Sequence, residues 1–427
     1  MRLILLDRLN GKRFHFYPLA LSRPIWELRC GMTTLGEKLV AKTGASDVAC
    51  FVPPYMAEVY RAESGRPVND PRSLRGDDLL VVNGRVKASH VCVERKGPSR
   101  IATDADGECL YARIAKEDLP RLNSDSVDAL LDSARQSLPA VEEEVPVWDY
   151  TWDLVLANPE QLREDFTAAG RSGIEGTVEE PSAIRGSRKD VYVAPGAMVH
   201  PMVVLDAAEG PIYIDEGAQI HPYTRIEGPS YIGKKTILLG AKCREGNTIG
   251  PVCRVGGEVE ESIIHGYSNK YHDGFLGHAY VGEWVNLGAL TTNSDLKNDY
   301  SHVEVTLEDG RPVNTGSTKV GSLIGDHTKT SIGTLLNTGA NVGAMAVVNT
   351  TGMPLPKFIP SFAWLVKGAV TKGHGRTGLY RTAEVAMGRR KRPWTPAHQA
   401  MWDEVFELTA EARNKALKKG RIALAAS

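Results

Sequence analysis

The chain has 427 residues, 42% hydrophobic and 24% charged, with a formal net charge of −1. That length allows two or three domains with ample core, and the charge excludes bulk attraction to nucleic acid or an anionic membrane. The opening MRLILLDRLNG is too short an apolar run for a signal peptide, and no stretch approaches the ~20 apolar residues of a membrane span. Cys30, Cys50, Cys92, Cys109, Cys243 and Cys253 form no CxxC pair and read as the reduced, scattered thiols of a cytoplasmic protein.

Residues 1–165 read as an α/β domain. LILLD and DLLVVNG are short apolar runs ending in polar turns, as buried strands of a parallel sheet do. MTTLGEKLVAKTG and DSVDALLDSARQSL have helical spacing, with Gly44 placed to close the first. PEQLREDFTAAG reads as the last helix of the domain, and residues 166–184, dense in Gly, Ser and charge, as a linker.

From 185 to 370 the apolar residues recur at a spacing of six. Val193, Val199 and Leu205 begin the series; Ile214, Ile220, Ile226, Ile232 and Leu238 continue it; Ile324, Leu336, Val342 and Val348 resume it, with Thr330 on the missing rung. A period of six is neither the 3.6 of a helix nor the alternation of a half-buried strand. It is the hexapeptide signature of a left-handed parallel β-helix, three short strands to a coil, each rung pointing inward. Small residues such as Gly233, Gly325 and Gly343 follow the rungs, where a side chain would collide near a corner. Three segments break the phase: DAAEGP after Leu205, YSNKYHDGF at 267–275, and the long stretch 291–319. Insertions in a solenoid commonly build its binding site. The tail, 371–427, has a basic cluster at Arg389–Arg392, read as a solvated face, and an amphipathic helix with Met401, Val405, Leu408 and Ala412 on one side.

The stretch HDGFLGHAYVGEWVNLGA, 272–289, resembles the acetyltransferase domain of the bifunctional enzyme family that makes UDP-N-acetylglucosamine. SLIGDHTKTSIGTLLNTGANVGAMAVV, PLPKFIPSFAW and SRPIWELRCGMTTLGEKL resemble an alternative bacterial branch with a divergent N-terminal domain. The resemblance implies a homotrimer that acetylates glucosamine-1-phosphate with acetyl-CoA as co-substrate, at sites between neighbouring prisms. It implies His272 as the base, in keeping with imidazole's ordinary pKa of ~6.5. It implies Asn286 on the sugar amine and the Ala289 backbone N–H as oxyanion donor. Arg244 is expected on the sugar phosphate, Glu258 on the sugar, Phe275 where the family has a Tyr, and Lys297 as a further contact. A solvated corner charge is the alternative for Lys242, Glu258 and Lys297, and a turn-bonding corner Asn for Asn286. The His residues of the prism do not repeat a metal-binding triad.

The N-terminal domain lacks the Gly-rich phosphate loop of a nucleotidyltransferase. Asp7, Arg23, Arg29, Lys38, Asn83 and Arg85 are the expected nucleotide-binding residues, and Asn158 the expected metal-site residue, with Mg²⁺ required only if this domain transfers nucleotides. Arg85 stands where the family has a metal-binding Asp, and a cation cannot ligate Mg²⁺. Acylation of another amino sugar, with an N-terminal domain that only binds a sugar nucleotide, and a non-catalytic trimeric scaffold are the alternative functions.

Overall fold

A computed structural model describes residues 1–90, 97–141, 144–349, 352 and 354–426; Cys92 lies outside them. The chain divides into two compact units. The first comprises Met1–Phe16, Ser22–Leu28 and Thr33–Asp149; the second comprises Tyr17–Leu21, Arg29–Met32 and Tyr150–Ser427.

The first unit is built on β1 (Arg2–Leu6), β2 (Val48–Phe51), β3 (Leu79–Asn83), β4 (Arg100–Thr103) and β5 (Cys109–Ile114), in the spatial order β2-β1-β3-β5-β4. Strands β2, β1 and β3 are parallel, whereas β5 is antiparallel to both of its neighbours. The sheet is therefore mixed where the apolar runs suggested a parallel one. Helix α1 (Leu35–Thr43) starts at a reciprocal cap. The Thr34 hydroxyl accepts from Glu37 N at 3.2 Å and the Glu37 carboxylate accepts from Thr34 N at 2.7 Å. It closes on Gly44 at φ 58°, as the sequence indicates. α2 (Ala57–Ser64) and α3 (Val127–Ser137) complete the unit, with Leu130, Leu131 and Ala134 of α3 packed on Ile4, Leu79, Val81 and Ala112 of the sheet.

The second unit is a parallel β-solenoid with three faces. One face has ten strands, from Gly173–Ile174 to Phe358–Ile359. The second runs from Thr177–Val178 to Asn269–Lys270, passes through Asn286, and continues at Lys329–Thr330 and Val347–Val348. The third runs from Ala183–Gly186 to Phe275–Gly277. The rungs named above all point inward and are buried, and all but Thr330 belong to one hydrophobic column. Burying each aliphatic rung is worth roughly 1.5–3 kcal/mol, so the column dominates the stability of this unit. Glycines after the rungs are required by close approach. A Cβ on Gly233 would lie 2.6 Å from the Gly250 carbonyl carbon, and one on Gly343 would lie 2.2 Å from Ser361 N.

The first coil begins earlier than the hexads indicate. Gly173–Ile174, Thr177–Val178 and Ala183–Gly186 are strands, so most of the expected linker is solenoid. Helix α4 (Thr151–Ala169) belongs to this unit as well. The 267–275 segment stays in phase, with Lys270 on the rung between Ile264 and Leu276. The longest insertion holds an antiparallel hairpin, Glu304–Thr306 with Pro312–Asn314. The tail forms three helices, α5 (Gly375–Gly388), α6 (Pro396–Leu408) and α7 (Ala410–Ala426), two of them where a single amphipathic helix was expected. Trp402 of α6 packs edge-on against His327 and Phe362 of the solenoid, so the tail docks on its own chain. Among the described residues no helix is long and apolar enough to cross a membrane.

Candidate functional site

The edge between the second and third faces carries His272. It turns through residues in the left-handed conformation: Tyr223 at φ 66°, Gly257 at 68°, Gly274 at 127° and Leu290 at 62°. Successive coils are tied across it by backbone bonds. Leu290 N donates to Asp273 O at 2.7 Å, and Gly333 N donates to Ala289 O at 2.7 Å. His272 and Ala289 therefore lie on adjacent coils of one edge, and the His272 ring is exposed, beside Tyr271. Asn286 reaches the same neighbourhood from the second face. It is exposed, and its side-chain oxygen accepts from Asn269 at 3.2 Å, an Asn–Asn ladder between coils. Phe275 begins the next strand of the third face, directly above Glu258 in register.

Arg244 lies at the far end of that face. Its guanidinium donates to Glu260 at 2.6 Å and stands 4.0 Å from Glu258. Lys242 is exposed and stacks on Glu258 in register. Lys297 sits apart, in the insertion, donating to Ser301 at 2.9 Å. The fold thus gathers His272, Asn286, Ala289, Phe275 and Glu258 along one edge and the adjoining face, with Arg244 across that face and Lys297 outside the group.

The sequence reading missed His278. It is buried, with Nδ1 2.8 Å from Asp295 and Nε2 3.3 Å from Glu261, carboxylates one coil above and one below. Burial alone would lower its pKa, but the hydrogen bonds and charges of Asp295 and Glu261 outweigh it and raise the value to about 9. The imidazolium is thus a clamp between coils. Glu245, Glu260 and Glu261 form the one acidic group among the described residues compact enough for a metal ion. Arg244 and Lys319 pair with Glu260, and His278 pairs with Glu261, so two of the three carboxylates already face cationic side chains.

In the first unit Asp7 is buried, and its carboxylate accepts from Arg13 and from Ile25 N at 2.9 Å. Arg13 in turn donates to Arg23 O at 3.0 Å. Asp7 therefore organises a loop. Arg85 is also buried, donating to Glu108 at 2.9 Å and lying 3.5 Å from Asp104 and 3.3 Å from Asp149. Asn83 donates to the other Glu108 oxygen at 2.9 Å. A guanidinium occupies the centre of this carboxylate group, where a divalent cation would otherwise be attracted, so these residues do not fit Mg²⁺. Lys38 is half-buried on α1.

Two expected nucleotide- or metal-site residues belong to the solenoid unit instead. Arg29 donates from Nε to His265 O at 3.2 Å, and its backbone N–H donates to the Tyr280 hydroxyl at 2.7 Å. Asn158 is fully buried on α4. Its oxygen accepts from Gly31 N at 2.7 Å and Thr248 Oγ1 at 3.0 Å, and its NH₂ donates to Gly246 O at 2.8 Å. With those bonds made, Asn158 is a staple that fastens α4 to the coils rather than a metal ligand.

Residues 3–172 match the family model described as sugar nucleotidyl transferase. A bifunctional sugar-1-phosphate nucleotidylyltransferase/acetyltransferase of Sulfurisphaera tokodaii is 35% identical over 120 residues, which span 28% of this chain and 27% of that protein. The solved UDP-N-acetylglucosamine acyltransferase of Francisella novicida is 16% identical over 58% of this chain and 89% of its own, at a TM-score of 0.29, and adds nothing to the fold read from the strand pairing. The chain is thus an α/β unit whose sequence is similar to sugar nucleotidyl transferases, followed by a parallel β-solenoid.

The His278 clamp makes stability depend on pH. A raised folded-state pKa stabilises fully below the unfolded value near 6.5 and loses that stabilisation as pH rises through about 9. Buried Lys270 and half-buried Lys329, both lowered by desolvation to about 8, act in the opposite sense above that pH, so a variant comparison isolates the histidine. Urea unfolding of the wild type against His278→Gln should show an excess loss of about 2 kcal/mol between pH 6.5 and 9. Parallel pH profiles for the two proteins would contradict the clamp.

Proposed function

We propose that the protein is a transferase of sugar-nucleotide synthesis that N-acetylates glucosamine-1-phosphate with acetyl-CoA at the solenoid edge. The observation that carries this reading is the exposed His272 ring on an edge whose next coil supplies Asn286 and the Ala289 backbone. The amine must be neutral to attack, so the ammonium first loses a proton to solvent water. As its nitrogen bonds to the thioester carbonyl carbon, His272 takes the second proton. The Ala289 N–H donates to the developing oxyanion and Asn286 orients the amine. The C–S bond then breaks, and the imidazolium returns its proton to the departing thiolate. Lys242 and Arg244 on the third face supply positive charge for the sugar phosphate. His272→Ala should lower thiol release from acetyl-CoA and glucosamine-1-phosphate by ~10²–10⁴-fold. Undiminished release would remove His272 as the base.

The match of residues 3–172 supports nucleotidyl transfer in the first unit, joining the acetylated sugar phosphate to a nucleotide. The Arg85 carboxylate group favours a second reading, in which this unit binds the sugar nucleotide without Mg²⁺ chemistry. Pyrophosphate release from UTP, Mg²⁺ and N-acetylglucosamine-1-phosphate separates the two. The second reading expects rates at background, and turnover of ~1 s⁻¹ or more would establish transfer.

The proposed assembly is a homotrimer with His272 at the protomer boundary. Met202, Tyr223, Leu239, Tyr271, Leu290 and Ile332 are 37% to 75% exposed and follow the turns of the His272 edge, an apolar stripe that association would cover. Sedimentation equilibrium should report three chains for the wild type and dissociation for Leu290→Asp/Ile332→Asp. A monomeric wild type would count against the assembly.

A further inference from the structure

We propose that Lys270 is a positioning residue for the transfer reaction, its buried amine fixing the edge that presents His272. This inference rests on the acetyl-transfer reading above. Lys270 occupies an inward rung, paired in register with Val255 and spaced six residues from both Ile264 and Leu276. It is 3% exposed, inside a column otherwise lined mainly by aliphatic side chains. Its Nζ donates to His272 O at 2.8 Å and to Gly256 O at 2.8 Å. The amine therefore ties the His272 backbone to the coil below. Gly257 gives it room, since a Cβ there would lie 2.7 Å from Nζ.

The next polar rung of this face is Thr330. Its hydroxyl accepts from Gly288 N at 2.9 Å and bonds the Thr291 hydroxyl at 2.8 Å. Lys270 and Thr330 thus bracket the coil of Asn286 and Ala289, one rung before it and one after. Polar groups inside the prism are aimed at the backbone of the edge where the base and the oxyanion donor sit. Burial disfavours the charged lysine and lowers its pKa to about 8, so packing alone gives no reason for an amine on this rung. Holding two carbonyls of successive coils together gives one.

Full-length Lys270→Met removes the donor and keeps an unbranched side chain one atom shorter. In the acetyl-CoA and glucosamine-1-phosphate assay, kcat should fall ~10- to 100-fold, the scale of a small misplacement, while KM for acetyl-CoA stays within about twofold. In a His272→Ala background the same substitution should change the residual rate by less than about twofold, because its effect passes through the imidazole. Hydrogen exchange read by mass spectrometry should quicken at 271–275 and stay unchanged in the 212–232 coils. An unchanged kcat, an equal loss in the His272→Ala background, or unchanged exchange at 271–275 would each overturn the assignment. Lys270→Gln, which retains N–H donors, serves if Lys270→Met does not fold, and should fall between it and the wild type. A wild type without any transfer would sink the functional reading and the catalytic consequence together, and the exchange comparison would then decide whether the amine holds the turn.

Discussion

The aliphatic column inside the prism is the constraint on which the second unit depends. Each rung is inward because its neighbours six residues away are inward, and backbone bonds between coils form only when that phase is kept. The edges must then turn sharply, and they do so through left-handed residues that are often not glycine. On the edge between the first and second faces Tyr267, Trp284 and His327 all have φ between 53° and 61° and stack from coil to coil. Stacking offsets the strain of bulky residues in that conformation. Function can be added only at the edges and outer faces, and the residues of the proposed reaction lie there.

Much of this was legible in the sequence, because a column with a fixed period writes itself into the chain. The first coil was not. Ile174, Val178 and Ile184 are its rungs, but the first two are spaced by four rather than six and the terminal coil is largely exposed, so its composition resembles a linker. The roles of Arg29 and Asn158 were also hidden. Arg29 meets Tyr280 across 251 positions and Asn158 meets Gly246 across 88, distances over which no local pattern operates. His278 could have been found. Glu261, His278 and Asp295 are spaced one coil apart, as are Asn269 and Asn286, so a search at coil length as well as at six would have stacked them.

The two units handle buried charge by similar means. In the first, Arg85 gathers Asp104, Glu108 and Asp149, and Arg13 holds Asp7. In the second, His278 joins two carboxylates and Arg244 joins Glu258 and Glu260. Paired charges of this kind define geometry more than they add stability, since desolvation takes back most of the attraction. In the first unit the guanidinium thus sits at the centre of the carboxylates within the residues that match the sugar nucleotidyl transferase model.

The short segment Arg29–Met32 has a consequence for how the chain is made. It leaves the ribosome early, yet its partners Thr248, His265 and Tyr280 are synthesised more than two hundred positions later. Its bonds to α4, from Cys30 to Leu154, Gly31 to Asn158 and Met32 to Asp165, have their partners earlier, but those to the solenoid must wait while the coils wind. Its docking is a late event that only a chain synthesised through Tyr280 can complete, which makes the ribosome-bound nascent protein a different object from the finished one.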